Sequence, residues 1–301
     1  MTNSPPRLFD RALLRTRLAR AAPGYDRADF LKRRAALDIV ERLAAIKRDF
    51  PTAIELGARN GLLSKTLRES GRPGQVGRLI ETDLSAAMLA RPGGAKVVVD
   101  EEGLPFADGC ADLIVSTLAL HWINDLVGTL IQIRRALRPD GLFLGALLGG
   151  ATLSELRQAL TEADLERTGG AGPRVSPFID ARDAGDLMRR AGFALPVVDV
   201  DRIAVRYDHP LRLLADLRAM GETNALFERS RAPLSRSVLA RAGEIYLERF
   251  ADPDGRVPAT FEIIGLTGWA PHPDQPTPLK RGSATARLDE ALAQVRRKSD
   301  V

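Results

Sequence analysis

The sequence is poor in cysteine and histidine and contains no long apolar run. Its single cysteine, Cys110, excludes an intramolecular disulfide and fits a reducing compartment. No apolar stretch approaches the ~20 residues that a transmembrane helix needs, so none is expected. Only 3 histidines are present, at positions 121, 209 and 272, and their pattern does not suggest the ferrous site that two histidines and a carboxylate form. We therefore predict no bound metal.

Lysine is also scarce, since only 6 of the 44 basic residues are lysines. The formal net charge is a modest +5, and the basic residues are scattered among acids. This pattern is more typical of a solvated surface than of a nucleic-acid-binding face, so no nucleic-acid partner is predicted. With 45% hydrophobic and 28% charged residues, the composition is that of an ordinary globular protein.

The stretch from 51 to 67 organises the rest of the chain. An apolar run, Thr52 to Leu56, ends in Gly57, and Gly61 then precedes leucines at helical spacing. Strand, glycine turn and helix form the opening unit of a doubly wound α/β domain, where a ligand binds at the helix N-terminus. Glu55 would place a carboxylate at the carboxyl end of the strand. The three-glycine dinucleotide fingerprint is absent.

Acids also follow the next two predicted strands, at residues 76–81 and 95–99. Asp83 comes after the first, and Asp100 and Glu101 come after the second. Because the carboxyl ends of parallel strands share one edge of a sheet, these acids and Glu55 should line a single ligand-binding edge. Asp83 is placed to accept hydrogen bonds from ribose hydroxyls. Its alternative role is a helix N-cap, which Ser85 could also supply.

Hydrophobic periodicity predicts the remaining elements. Residues 7–49 should be helical with a break at Pro23-Gly24, as a lid over a ligand or as a structural brace. The other predictions are helices through Met88 and Leu89, over 126–137, from 152, over 180–191, over 210–250 and over 288–295, strands at 111–116, 142–148, 194–205 and 258–269, and a turn at 138–141. We divide the chain into an N-terminal helical segment (1–50), a Rossmann-like core (51–207), a helical insertion (208–257) and a last strand with a basic tail (258–301).

Several motifs together resemble known families. Residues 100–106, 116–125 and 137–141 resemble class I S-adenosylmethionine (SAM) methyltransferases of the malonyl-acyl carrier protein methyl ester type. Residues 149–157, 220–224, 259–261, 268–269 and 281–285 are similar to the complex I assembly factors that hydroxylate a protein arginine. The similarity extends from Phe9 to about Leu292.

The resemblance implies an α/β, Rossmann-like class I methyltransferase fold with a mostly parallel seven-stranded sheet. It also implies SAM as cofactor and a protein substrate, an iron–sulfur subunit of complex I that is hydroxylated on one arginine. The implied location is the bacterial cytoplasm, or the mitochondrial matrix side in a eukaryote, with peripheral association with the respiratory membrane.

The resemblance further implies a set of cofactor contacts. These positions are Glu55, Gly57, Ala58 and Gly61 at the methionine end, Asp83 and Leu84 at the ribose, Asp100 and Glu101 near the adenine, and Leu118 beside the sulfonium. Arg59 stands where the superfamily has glycine. Its side chain must therefore point away from the cofactor or occupy part of its site, where it could pair with Glu55 or with the carboxylate of the ligand.

The chemistry expected after the fourth strand leaves alternatives open. Residues 116–120 lack the Asn/Asp-Pro-Pro-Tyr/Phe motif, which argues against methylation of nucleic bases or glutamine. His121 is a candidate general base, with helix capping or partial exposure as the alternative. Trp122 is either a packing residue or a wall for a cation.

Three functional hypotheses follow from these observations. The first is a SAM-binding enzyme of methyltransferase fold that hydroxylates an arginine of a complex I subunit. The second is a SAM-dependent O-methyltransferase acting on a carboxylate such as malonyl-acyl carrier protein. The third is a non-catalytic complex I assembly chaperone.

Overall fold

A seven-stranded sheet carries the fold in the computed structural model, which describes residues 7–72 and 74–276. Its strands are β1 (Phe50–Leu56), β2 (Val76–Asp83), β3 (Ala95–Val98), β4 (Ala111–Thr117), β5 (Leu137–Leu148), β6 (Ala194–Tyr207) and β7 (Val257–Trp269). The strand order is β3-β2-β1-β4-β5-β7-β6. The first five strands pair in parallel, and β7 is antiparallel to both of its neighbours. The predicted α/β class and mostly parallel seven-stranded sheet are confirmed.

Helices cover both faces of the sheet. They are α1 (Arg11–Ala21), α2 (Phe30–Ala45), α3 (Leu62–Glu69), α4 (Leu126–Ala136), α5 (Ser154–Thr168), α6 (Ala181–Arg190), α7 (Pro210–Ala219) and α8 (Arg236–Phe250), with 3₁₀ turns at Ala22–Arg27 and Leu120–Trp122. Within the described ranges, none of the helices has the length and apolar character needed to cross a membrane.

Strand β4 shows how the sheet sorts its side chains between two cores. Every residue of this strand is buried, as expected for a central parallel strand. Leu113 and Val115 join the cluster that contains buried residues of α2, α3, α5 and α8. Ile114 points to the opposite face and joins the cluster of α4 and α6. A third cluster packs α1 against Trp122 and Leu226.

Residues up to Pro271 form one compact unit. The finer division at 50, 207 and 257 stays a prediction, and the predicted helix at 288–295 lies outside the described residues.

Three predicted helical segments are wrong in extent. The segment around Met88 forms isolated turns because Pro92 follows closely, and 210–250 is interrupted where Gly221, with φ of 76°, ends α7. Likewise, 7–49 is not helical throughout, since α2 ends at Ala45.

We expect Phe143→Ala to lower the free energy of unfolding by about 3–5 kcal/mol, because it empties a fully buried site. Phe143 lies in β5 with 0% exposure, its ring 5.4 Å from that of Phe193. Phe227→Ala is the matched control, since Phe227 is 50% exposed. Urea denaturation of both variants checks this. Similar losses in the two variants would contradict the assignment of Phe143 to the core.

Candidate functional site

Carboxylates line the carboxyl edge of the parallel strands. Glu55 is the penultimate residue of β1, Asp83 is the last residue of β2, and Asp100 and Glu101 follow β3. The side chains of Glu55, Asp83 and Glu101 are 0%, 0% and 2% exposed. Charges buried to this extent need partners. The predicted position of these acids at one edge of the sheet agrees with the structure. Their roles in binding a cofactor stay predictions.

The partner of Glu55 is Lys32, which reaches the edge from α2. The Lys32 ammonium donates hydrogen bonds to the carbonyls of Gly57 at 2.8 Å and of Thr117 at 3.0 Å, and it lies 3.7 Å from Glu55 Oε1. The Thr117 hydroxyl donates to the same carboxylate oxygen at 2.9 Å. Burial raises the pKa of Glu55 and lowers that of Lys32, and the opposite charge of the partner limits both changes.

The partner of Asp83 is Arg59 in the glycine turn. The Arg59 backbone N–H and its Nη1 both donate to Asp83 Oδ2, at 3.0 and 2.7 Å. The backbone N–H of Ser85 donates to Oδ1 at 2.8 Å. Burial is the largest single effect and lowers the pKa of Arg59, but the charges of Asp83, Tyr25, Glu222 and Glu101 together raise it more, so the net pKa is raised. Arg59 thus pairs with Asp83, and the suggestion that it pairs with Glu55 is wrong.

A third cation neutralises the acids after β3. Arg11 of α1 donates to Asp100 Oδ1 at 2.7 Å and also pairs with Glu101. Burial raises the pKa of Glu101, and Arg11 opposes this rise. Through Arg11 and Lys32, both N-terminal helices are bonded to the ligand edge of the sheet.

The backbone of the glycine turn is strained at Arg59. Gly57 and Gly61 have φ of 71° and 73°, and a Cβ at Gly57 would lie 2.3 Å from the Cβ of Ala119. Arg59 between them has φ of 50°, a region that costs free energy for a side chain other than glycine. Ala58 is buried and its N–H donates to Thr82 O at 2.8 Å.

Two cavities lie next to Glu222. The smaller has a volume of about 20 Å³ and is bordered by Leu118, Lys32 and Glu222. That volume holds roughly one water. The larger has a volume of about 1000 Å³, within the range of ligand pockets. Leu31, Leu148, Met220 and Glu222 border both cavities. Leu84 lies outside them in the buried α1 cluster.

His121 and Trp122 meet at one carboxylate oxygen. Glu222 Oε2 accepts from Trp122 Nε1 at 2.7 Å and lies 3.1 Å from His121 Nε2. The His121 side chain is only 1% exposed and caps no helix, so the expectation of a capping or partly exposed histidine is wrong. Its role as a general base stays a prediction. Trp122 is 2% exposed and packs edge-on against Phe9, as expected of a packing residue.

This arrangement does not accommodate SAM. Asp83, the predicted ribose contact, is bonded to Arg59, and the carbonyl of Gly57, a predicted contact at the methionine end, is bonded to Lys32. The space beside Leu118 is about 20 Å³, whereas ligand pockets measure roughly 300–1,000 Å³. Within 7–72 and 74–276, no group of three or more His, Cys, Asp or Glu side chains could hold a metal ion.

Sequence reasoning missed Arg11, Lys32 and Glu222, whereas it singled out Arg59. A signal for Lys32 was present, because it falls in phase with Ala35, Ala36 and Ile39 on the buried face of α2. A lysine on such a face requires a buried acid. In the sequence, Glu222 was noted only as part of a motif. It lies in a loop, and a loop has no hydrophobic periodicity from which the orientation of a side chain can be predicted.

Comparisons with known proteins agree with the fold. Residues 54–145 match the model of the family described as "Methyltransferase domain". The arginine-hydroxylase NDUFAF5 of Rattus norvegicus mitochondria is 39% identical over 300 residues, which cover 95% of this chain and 86% of that protein. A malonyl-[acyl-carrier protein] O-methyltransferase of Laribacter hongkongensis is 36% identical, over 87% of this chain and 90% of that protein. The YcgJ protein of Bacillus subtilis shares the fold, with a TM-score of 0.53 and 14% identity over 79% of this chain and 98% of that one.

We expect Lys32→Met to lower the free energy of unfolding by about 3–5 kcal/mol, because it leaves Glu55 as an uncompensated buried charge. Adding Glu55→Gln should restore part of that loss, since the charge is then removed as well. Urea denaturation of the two single variants and the double variant measures this coupling. Strictly additive losses would show that the two side chains do not stabilise each other.

Proposed function

Because the chain belongs to the class I SAM-dependent methyltransferase superfamily, and within it to the family of arginine-hydroxylase NDUFAF5 and malonyl-[acyl-carrier protein] O-methyltransferase, we propose that it modifies an arginine of a protein substrate. The proposed substrate is the complex I iron–sulfur subunit that the family resemblance implies. SAM is the proposed ligand of the carboxyl edge, which it can enter only after Arg59 leaves Asp83. The proposed compartment is the cytoplasm of a bacterium or the mitochondrial matrix of a eukaryote.

The observation that carries this proposal is the free oxygen of Glu222 at the larger cavity. Glu222 Oε2 is held by Trp122 and His121, while Oε1 makes no hydrogen bond to the described part of the protein. A carboxylate fixed through one oxygen presents the other to a guanidinium, which is the strongest hydrogen-bonding partner for it. Leu31 and Phe178 line the same cavity and suit the aliphatic stem of an arginine.

The second candidate, O-methylation of a carboxylate, is favoured by Arg17. This residue borders the larger cavity, and its buried Nη1 has no hydrogen-bond partner among the described residues. Burial and the neighbouring Arg229 lower the pKa of Arg17. A carboxylate on the substrate would provide a partner for the unbonded Nη1 and would add to the nearby negative charge of Asp10.

Deleting the gene should leave the arginine of the subunit one oxygen atom lighter, and the wild-type gene should restore the modification. We expect Glu222→Gln to lower the modified fraction by about 10-fold or more, because a hydrogen bond to a charged group contributes roughly 1.5–3 kcal/mol. Peptide mass spectrometry of the subunit measures the fraction. Glu244→Gln is the control, since Glu244 is an exposed α8 residue, 57% accessible.

A modified arginine in the deletion strain would refute the proposed substrate. Equal modification by the Glu222 and control variants would refute the role given to Glu222. Formation of a methyl ester when the purified protein meets SAM and malonyl-acyl carrier protein would support the second candidate instead. Immunoblots of each variant separate loss of function from loss of protein.

A further inference from the structure

Two cations of the chain lie where a cofactor of this class would place its own polar groups. SAM carries an α-ammonium group and a ribose with two vicinal hydroxyls, which are hydrogen-bond donors. Here the ammonium of Lys32 donates to the carbonyls of Gly57 and Thr117 beside Glu55. The guanidinium and backbone N–H of Arg59 donate to Asp83. The carbonyls of Gly57 and Thr117 and the carboxylate of Asp83 are therefore already bonded to donors from the protein.

We propose that Arg59 and Lys32 are internal competitors for the cofactor, so that SAM binds only when they give up Asp83 and the carbonyls at the methionine end. Arg59 is the stronger competitor. Its guanidinium is 2% exposed and its contact with Asp83 is direct, whereas Lys32 Nζ stands 3.7 Å from Glu55. The competition concerns the cofactor alone and does not depend on the identity of the protein substrate.

Arg59 and Lys32 satisfy the hydrogen-bonding groups at this edge only in part. Arg59 Nε, Glu55 Oε2 and His121 Nδ1 are buried without a hydrogen-bond partner among the described residues. Folded proteins contain few such atoms, because each one costs free energy. These unpaired atoms and the positive φ of Arg59 both cost free energy in the closed site. A ligand whose donors fit the acceptors better can therefore displace Arg59 and Lys32.

Titration calorimetry with SAM alone tests the competition. We expect the natural protein to show no saturation up to roughly 1 mM SAM, and Arg59→Gly to bind at least ~100-fold more tightly. Arg138→Ala is the matched control, because it removes an arginine that is 2.7 Å from Asp112 at the opposite end of β4. The control should bind no better than the natural protein.

A second ligand separates the two cations. Adenosine has the ribose hydroxyls but lacks the amino-acid end, so it competes with Arg59 and not with Lys32. Adding Lys32→Met to Arg59→Gly should therefore improve the binding of SAM by about 10-fold or more and leave that of adenosine unchanged. Equal changes for the two ligands would refute the role of Lys32.

Micromolar binding of SAM by the natural protein, changed less than threefold by Arg59→Gly, would overturn the proposal. So would the absence of binding by a folded Arg59→Gly variant, with circular dichroism confirming its fold. Arg59→Ala provides the same test should the glycine variant fail to fold. Because the readout is binding of the cofactor, its result is independent of whether the complex I subunit is modified.

Discussion

Buried carboxylates at one edge of the sheet are the constraint on which the rest of the structure depends. Glu55, Asp83 and Glu101 are almost fully removed from water, where an uncompensated charge costs several kcal/mol. Each is compensated by a cation that a different element delivers, namely Lys32 from α2, Arg59 from the glycine turn and Arg11 from α1. The N-terminal helices are therefore part of the electrostatics of the edge, which explains why they cover it.

The alternation between strands and glycine-marked turns predicted a parallel sheet with its acids on one edge, whereas the number of seven strands came from the family resemblance. Parallel strands have few ways to connect, so strand ends in sequence become neighbours in space. The direction of Arg59 could not be predicted, because a residue in a tight turn has no periodic pattern to fix its side chain. In the structure Arg59 pairs with Asp83, while Lys32 is the cation beside Glu55.

The same lack of periodicity hid Glu222. It lies in the loop between α7 and α8, which the sequence suggested was helical, and a helix would have pointed its residues in other directions. Only the three-dimensional structure shows that this carboxylate contacts Trp122 and His121, which lie about 100 residues earlier in the sequence. The motif was visible in the sequence, but its geometry was not.

Arg59 links stability to the openness of the cofactor edge. A glycine at this position would relieve the φ of 50° but would leave Asp83 buried without a counter-charge whenever no cofactor is present. An arginine reverses both effects, since it accepts backbone strain and neutralises Asp83 when no cofactor is present. Arg59 is not among the residues that border the larger cavity, although the charge of Glu222 contributes to the raised pKa of Arg59. The proposed substrate contact and the proposed competition with the cofactor therefore depend on different side chains, Glu222 and Arg59, which interact through their charges.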